Sequence, residues 1–220
     1  MSRFGLMRRV RYAFSLGGGC FVAKTMAKYS CRTMAGPVDY MVAQPALASA
    51  CFADGFEQFL DERKLFKQRG GLGHRTLSRY AAETQDGALF KHYSWQDWEE
   101  TLPRRVERLK QYSRSNERKL FVVGSKGRLM PMGDVRMLYD SLRAFGCSSF
   151  DLLVINVVTG SPGTSPDIRI LREDGFERIT LWTQWLTGEL RGATFQHADD
   201  RQRVRELFAL IPKDLAVLDG

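Results

Sequence analysis

The sequence predicts an α/β fold, a single domain over residues 1–220 with a mainly parallel or mixed sheet flanked by helices. Three observations lead there. Short apolar runs alternate with helical patterns along the chain. Between residues 119 and 158 the segments "KLFVVGS", "MGDVRMLYDSLRAFG" and "FDLLVINVV" read as strand, helix and strand, and such uninterrupted apolar strands belong in a parallel sheet covered on both faces. Finally, 220 residues, 44% hydrophobic and 11% aromatic, suffice for one well-packed core of ordinary size.

Residues 1–10 are read as a flexible N-terminal segment, and "RYAFSL" (11–16) as a first buried strand that Gly17, Gly18 and Gly19 end. "CFVAKTMAKY" (20–29) then starts a helix. After the turn "AGPVDYM", the segment 45–66 opens with a proline suited to a first helical turn and places Leu47, Cys51, Phe56, Phe59 and Leu60 near helical spacing, which predicts a long amphipathic helix. "KQRGGLGHRTLSRY" is expected to be a loop and "GALFKHYSW" (87–95) a short strand ending near His92. A charged helix comes next, capped by Ser94 or Asp97, with Pro103 as a kink or fresh start. Beyond the βαβ unit, "SPGTSP" (161–166) is a loop, "DIRILRE" and "RITLWTQW" form a hairpin about Asp174 and Gly175, and "ADDRQRVRELFALI" closes the chain as an amphipathic helix.

Thirty-three Lys and Arg against 25 Asp and Glu give a formal charge of +8, spread from Arg8 to Arg205, which favours acidic partners in general. Nucleic acid is not expected as a partner, because there is neither a basic stripe nor a binding motif. Cys20, Cys31, Cys51 and Cys147 form no CxxC pair, so no metal site and no cofactor is expected, and the four read as reduced thiols of a cytoplasmic protein. Arg8, Arg9 and Arg11 interrupt any secretory apolar run before Cys20, and Gly17 stands where a lipobox would have a larger aliphatic residue, which argues against lipidation. No membrane span is expected.

The chemistry centres on "YAFSLGGGCFVAKTM" (12–26). The thiolate is the nucleophilic form of cysteine, and the unpaired amides and dipole of a helix start favour it, so Cys20 is placed to act as a nucleophile. The amides near Gly18 and Gly19 would serve an oxyanion. The plain alternative is a small residue packed at a strand–turn–helix junction, and a third reading has the glycine turn cradle a phosphate, although "SLGGGC" matches neither GxGxxG nor a Walker A loop.

Among three histidines, His74 lies in the glycine-rich loop and His197 at a helix start, whereas His92 stands at the mouth of a strand, where α/β folds assemble their sites. Asp39, an acid among apolar neighbours, is a candidate for orienting the imidazole, binding substrate or capping a turn, and Asn156, a polar residue inside "LLVINVV", is the other candidate orienter and a candidate for binding substrate or its oxyanion.

"FSLGGGCFVAKTM" followed by "AGPVDYM" resembles the opening of a bacterial protein family of unknown function classed with the papain-like cysteine peptidases. Members of that family resemble serine, leucine, glycine, a short gap and cysteine, followed further on by proline, aromatic, aspartate, aromatic. The second motif here is Pro37, Val38, Asp39 and Tyr40, with valine in place of the first aromatic. "LFKHYSW", "LPRRVERLKQY" and "KLFVVGS" are similar to that family's later order of histidine, basic helix and strand. The resemblance covers residues 12 to 160 and implies Cys20 as nucleophile, His92 as general base and Asp39 as a site residue.

The expected function is therefore a thiol hydrolase or acyltransferase that uses Cys20 and His92, with Asp39 ahead of Asn156 as orienter and an acyl or peptide substrate. The competing expectation is a transferase or binding protein for a phosphorylated or sugar-nucleotide ligand held at the turn Gly17 to Cys20.

Overall fold

In the computed structural model of the protein, the described residues are 10–41, 44–81, 88–159, 166–174, 177–191, 194–211 and 215. Five strands build the central sheet: β1 (Tyr12–Ser15), β4 (Lys119–Lys126), β5 (Phe150–Thr159), β7 (Glu177–Leu186) and β6 (Asp167–Asp174), in that spatial order. β1, β4, β5 and β7 run parallel, and β6 returns antiparallel on the far edge. The expected α/β class and mixed sheet are what the chain forms.

Every residue of β4 and β5 except the last is buried, as continuous apolar strands in a parallel sheet should be. Alternate side chains feed two cores. On one face Phe14, Phe121, Val123, Leu152 and Val154 pack with α2 (Ala46–Ala53), α3 (Trp95–Ser113) and α4 (Met132–Ala144). On the other, Ala13, Leu120, Val122, Leu153 and Ile155 pack with α1 (Cys20–Lys28) and α5 (Ala198–Ala209). The βαβ unit 119–158 and the β6–β7 hairpin lie where the sequence places them. The hairpin's Gly175 and residues 161–165 of the expected loop fall outside the described residues.

Several expectations need correction. Val10 is fully buried, so the N-terminal segment read as flexible does not extend to it; residues 1–9 lie outside the described residues. The long helix 45–66 stops at Ala53, because the Asp54 carboxylate accepts from the Phe56 and Gln58 amides and because Gly55 and Phe56 adopt φ of +63° and +69°. Further along, a 3-10 turn at Glu62–Lys64 leads into β2 (Leu65–Gln68).

The expected loop contains a hairpin, β2 with β3 (Gly71–His74), turning through Arg69 and Gly70. Among the described residues of the expected strand 87–95 only one pairs: Phe90 bridges Leu72 of β3, and a turn at Lys91 and His92 leads straight to the next helix. That helix, α3, runs unbroken through Pro103. Ser94 and Asp97 both cap it, each side chain bonding the other's backbone in a capping box.

Candidate active site

Cys20 is the first residue of α1, immediately after the glycine turn that leaves the carboxyl end of β1. Three successive residues take left-handed φ, +87° at Gly17, +90° at Gly18 and +98° at Gly19, which explains why glycine occupies all three positions. Gly18 also passes close to β4: a Cβ there would lie 1.9 Å from the Gly124 carbonyl oxygen, and the Gly124 amide donates to the Gly17 carbonyl at 3.1 Å. The turn is thereby fixed to the sheet. Among the described residues no side chain caps α1, so its first amides remain available to a bound oxygen.

His92 reaches the thiol from the other end of a long excursion of the chain. The Leu72 and Phe90 backbones exchange both hydrogen bonds, at 3.0 and 3.3 Å, and the Ser94 cap starts α3 two residues beyond His92. Held between these anchors, the imidazole Nε2 stands 3.7 Å from Cys20 Sγ. The ring is exposed and the cysteine partly buried, so the pair opens to solvent. The Cys20 thiol also donates to the Tyr40 carbonyl, at 3.8 Å.

Asp39 does not touch the imidazole. It lies beneath the turn that presents that carbonyl: its Oδ2 accepts from the Gly36 amide at 2.9 Å and from Arg32 Nη1 at 3.0 Å, and Arg32 Nη1 also bonds the Tyr40 hydroxyl at 3.1 Å. Tyr40 itself takes φ +63°, which turns its carbonyl towards Cys20. Burial of the Asp39 carboxyl raises it above its ordinary range, against the Gly36 amide, Arg32, Ser15 and Arg105, which all favour the charged form. Arg105 from α3 donates to the Tyr93 hydroxyl at 2.7 Å, next to His92, so the two halves of the site share one charged network behind the thiol.

Asn156 is elsewhere. Its Oδ1 accepts from the Met130 amide at 2.9 Å and fixes the connection after β4, and it makes no bond to Cys20 or His92 among the described residues. Neither expected orienter therefore bonds the imidazole. His74 is buried structure: Nδ1 accepts from the Thr76 and Leu77 amides and Nε2 donates to the Gln58 carbonyl. His197 caps α5.

The other thiols are packed away. Burial pushes Cys51 well up and Cys147 up to about 11, and Cys31 donates to the Tyr29 and Phe208 carbonyls. Among the described residues no group of three His, Cys, Asp or Glu is arranged to hold a metal ion, and no helix is long and apolar enough to cross a membrane.

Sequence reasoning missed three contributors: the Tyr40 carbonyl, Arg32, and the β2–β3 hairpin that anchors Phe90. The hairpin had a signal in Gly71, where a Cβ would lie 2.5 Å from the Phe90 carbonyl oxygen. The other two depend on backbone direction, which residue type does not encode. Comparison with known proteins found no family model, no curated protein and no solved structure that matches the chain.

Proposed function

We propose that the protein is a cytoplasmic thiol hydrolase or acyltransferase, similar in its catalytic chemistry to the papain-like peptidases, that acts through a Cys20–His92 dyad on an acyl or peptide substrate. The observation that carries this reading is the 3.7 Å approach of His92 Nε2 to the Cys20 sulfur at an uncapped helix start. Cys20 Sγ forms a bond to the substrate carbonyl carbon while its proton passes to His92 Nε2. The amides at the start of α1 take the negative oxygen of the tetrahedral intermediate. That intermediate collapses with cleavage of the bond to the leaving group, which receives the proton from His92. Water, or an acceptor amine, alcohol or thiol, then attacks the thioester with His92 as base and frees Cys20.

The phosphate-cradle alternative is less well supported. Gly18 is required by its packing on Gly124, and the side chain standing over the helix start is an imidazole rather than a group of arginines.

Alkylation by iodoacetamide, read by peptide mass spectrometry at neutral pH, tests the dyad. Cys20 should react far faster than Cys31, Cys51 and Cys147, and His92→Ala should slow it by about tenfold or more, because an unassisted thiol is only a few per cent thiolate at pH 7. A Cys20 rate that His92→Ala leaves unchanged would remove the dyad.

A further inference from the structure

A second feature of α1 points to what the substrate carries. Lys24 and Lys28 follow Cys20 at successive steps of four, so the three residues form one ridge along the helix, with Lys28 about 12 Å from the cysteine at 1.5 Å per residue. Both lysines are exposed. At the far end of the ridge, α1 and α5 border a cavity of about 230 Å³ lined by Lys24, Lys28, Tyr29, Thr194, Phe195 and Arg201 among others, with no acidic side chain among the described residues of its wall.

The Arg201 guanidinium is not a wandering surface charge. Its Nη1 donates to the Phe195 carbonyl at 3.0 Å and the Gln196 carbonyl at 2.7 Å, which holds it at the rim with the rest of its donors unspent. Lys28 lies over the Tyr29 ring, 5.7 Å from its centre. Among the described residues no carboxylate pairs with Lys24, Lys28 or Arg201. Three cations around one concave site, with no carboxylate among its described residues, make a positive field that favours an anion.

We propose that this cleft is an anion subsite that takes a terminal carboxylate or phosphate of the acyl substrate, carried roughly 10 Å from the carbonyl that Cys20 attacks. The subsite rests on the Cys20–His92 dyad proposed for the protein. It predicts that substrate selection depends on charge at a fixed distance from the bond to be broken.

Two experiments on the full-length protein separate the subsite from the dyad. The first compares alkylation of Cys20 by N-iodoacetyl-6-aminohexanoate, by the corresponding alkyl phosphate, and by the neutral hexanamide. The anionic reagents should react at least about fivefold faster than the amide at low salt, and the larger advantage identifies which anion the cleft prefers. That ratio should fall towards one in Lys24→Ala/Lys28→Ala and at about 0.5 M NaCl. Equal rates for all three reagents overturn the subsite.

The second experiment titrates inorganic pyrophosphate, followed by heat and by thermal midpoint. Saturable binding should be seen in the wild type and be lost in the double lysine variant; no binding to the wild type overturns the proposal. A Cys20 inert to every reagent, with pyrophosphate still bound, would sink the dyad and the link to substrate while leaving an anion site with another purpose.

Discussion

Asp39 holds a carboxylate that water does not reach, with Arg32 and the Gly36 amide as its partners. Because burial raises its folded value above the ordinary 3.8, the group adds stability at pH below that value and gives it up as the pH rises through the raised one. The urea midpoint of the wild type relative to Asp39→Asn should therefore be more favourable near pH 4 than at pH 7. Arg32→Ala should cost about 3–5 kcal/mol at pH 7 in the same assay, since it leaves a buried charge uncompensated. At this scale Cys20, His92 and Asp39 could be picked out by residue type and setting. How they meet could not, since Asp39 serves the backbone turn of Gly36 to Tyr40 and leaves the imidazole alone.

Elements meet at their glycines. A Cβ on Gly124 would lie 2.4 Å from Val22 Cγ2 and 2.5 Å from Phe21 Cζ, so the start of α1 rests on bare β4 backbone. Gly18→Ala adds a strained φ of +90° to a clash with that backbone and should lower stability by about 2–5 kcal/mol in urea unfolding. The glycine turn was legible because three glycines in a row have few other uses. Its partner Gly124 was not, because nothing local in "VVGS" records a neighbour so distant in the chain.

The stop at Asp54 and Gly55 was legible in principle, but the apolar spacing beyond it hid it. Within the β2–β3 hairpin, burial lowers the His74 value, so its neutral ring stabilises the fold above pH 6.5 and that contribution is lost as the pH falls through and below it. Hydrogen exchange at the Leu72 and Phe90 amides, corrected for intrinsic rates, should accordingly lose protection between pH 7 and pH 5.

The whole molecule is a sheet with a core on each face, and its class followed from composition because β4 and β5 are apolar almost without interruption. Leu152 and Leu153 are adjacent, fully buried and on opposite faces, so truncating either to alanine should cost about 2–5 kcal/mol and lower the same cooperative transition in denaturant. Two separable transitions would mean that the faces fold independently. The net charge of +8 belongs to this scale too, and it describes partners only broadly until a concave site such as the α1–α5 cleft concentrates it.

The strands β1 and β4 are neighbours in space, yet residues 16 to 118, which carry both the thiol and the imidazole, lie between them in the chain. Closing so long a segment before the pairing rewards it makes such parallel strand association intrinsically slow. If His92 activates Cys20 as proposed, a newly made chain holds the sulfur apart from the imidazole and has only ordinary thiol reactivity until the strands join. On dilution from denaturant, rapid alkylation of Cys20 should return with the time constant of the tryptophan fluorescence and never ahead of it. On that reading the topology would be a safety catch, withholding the activated thiol until the sheet has closed.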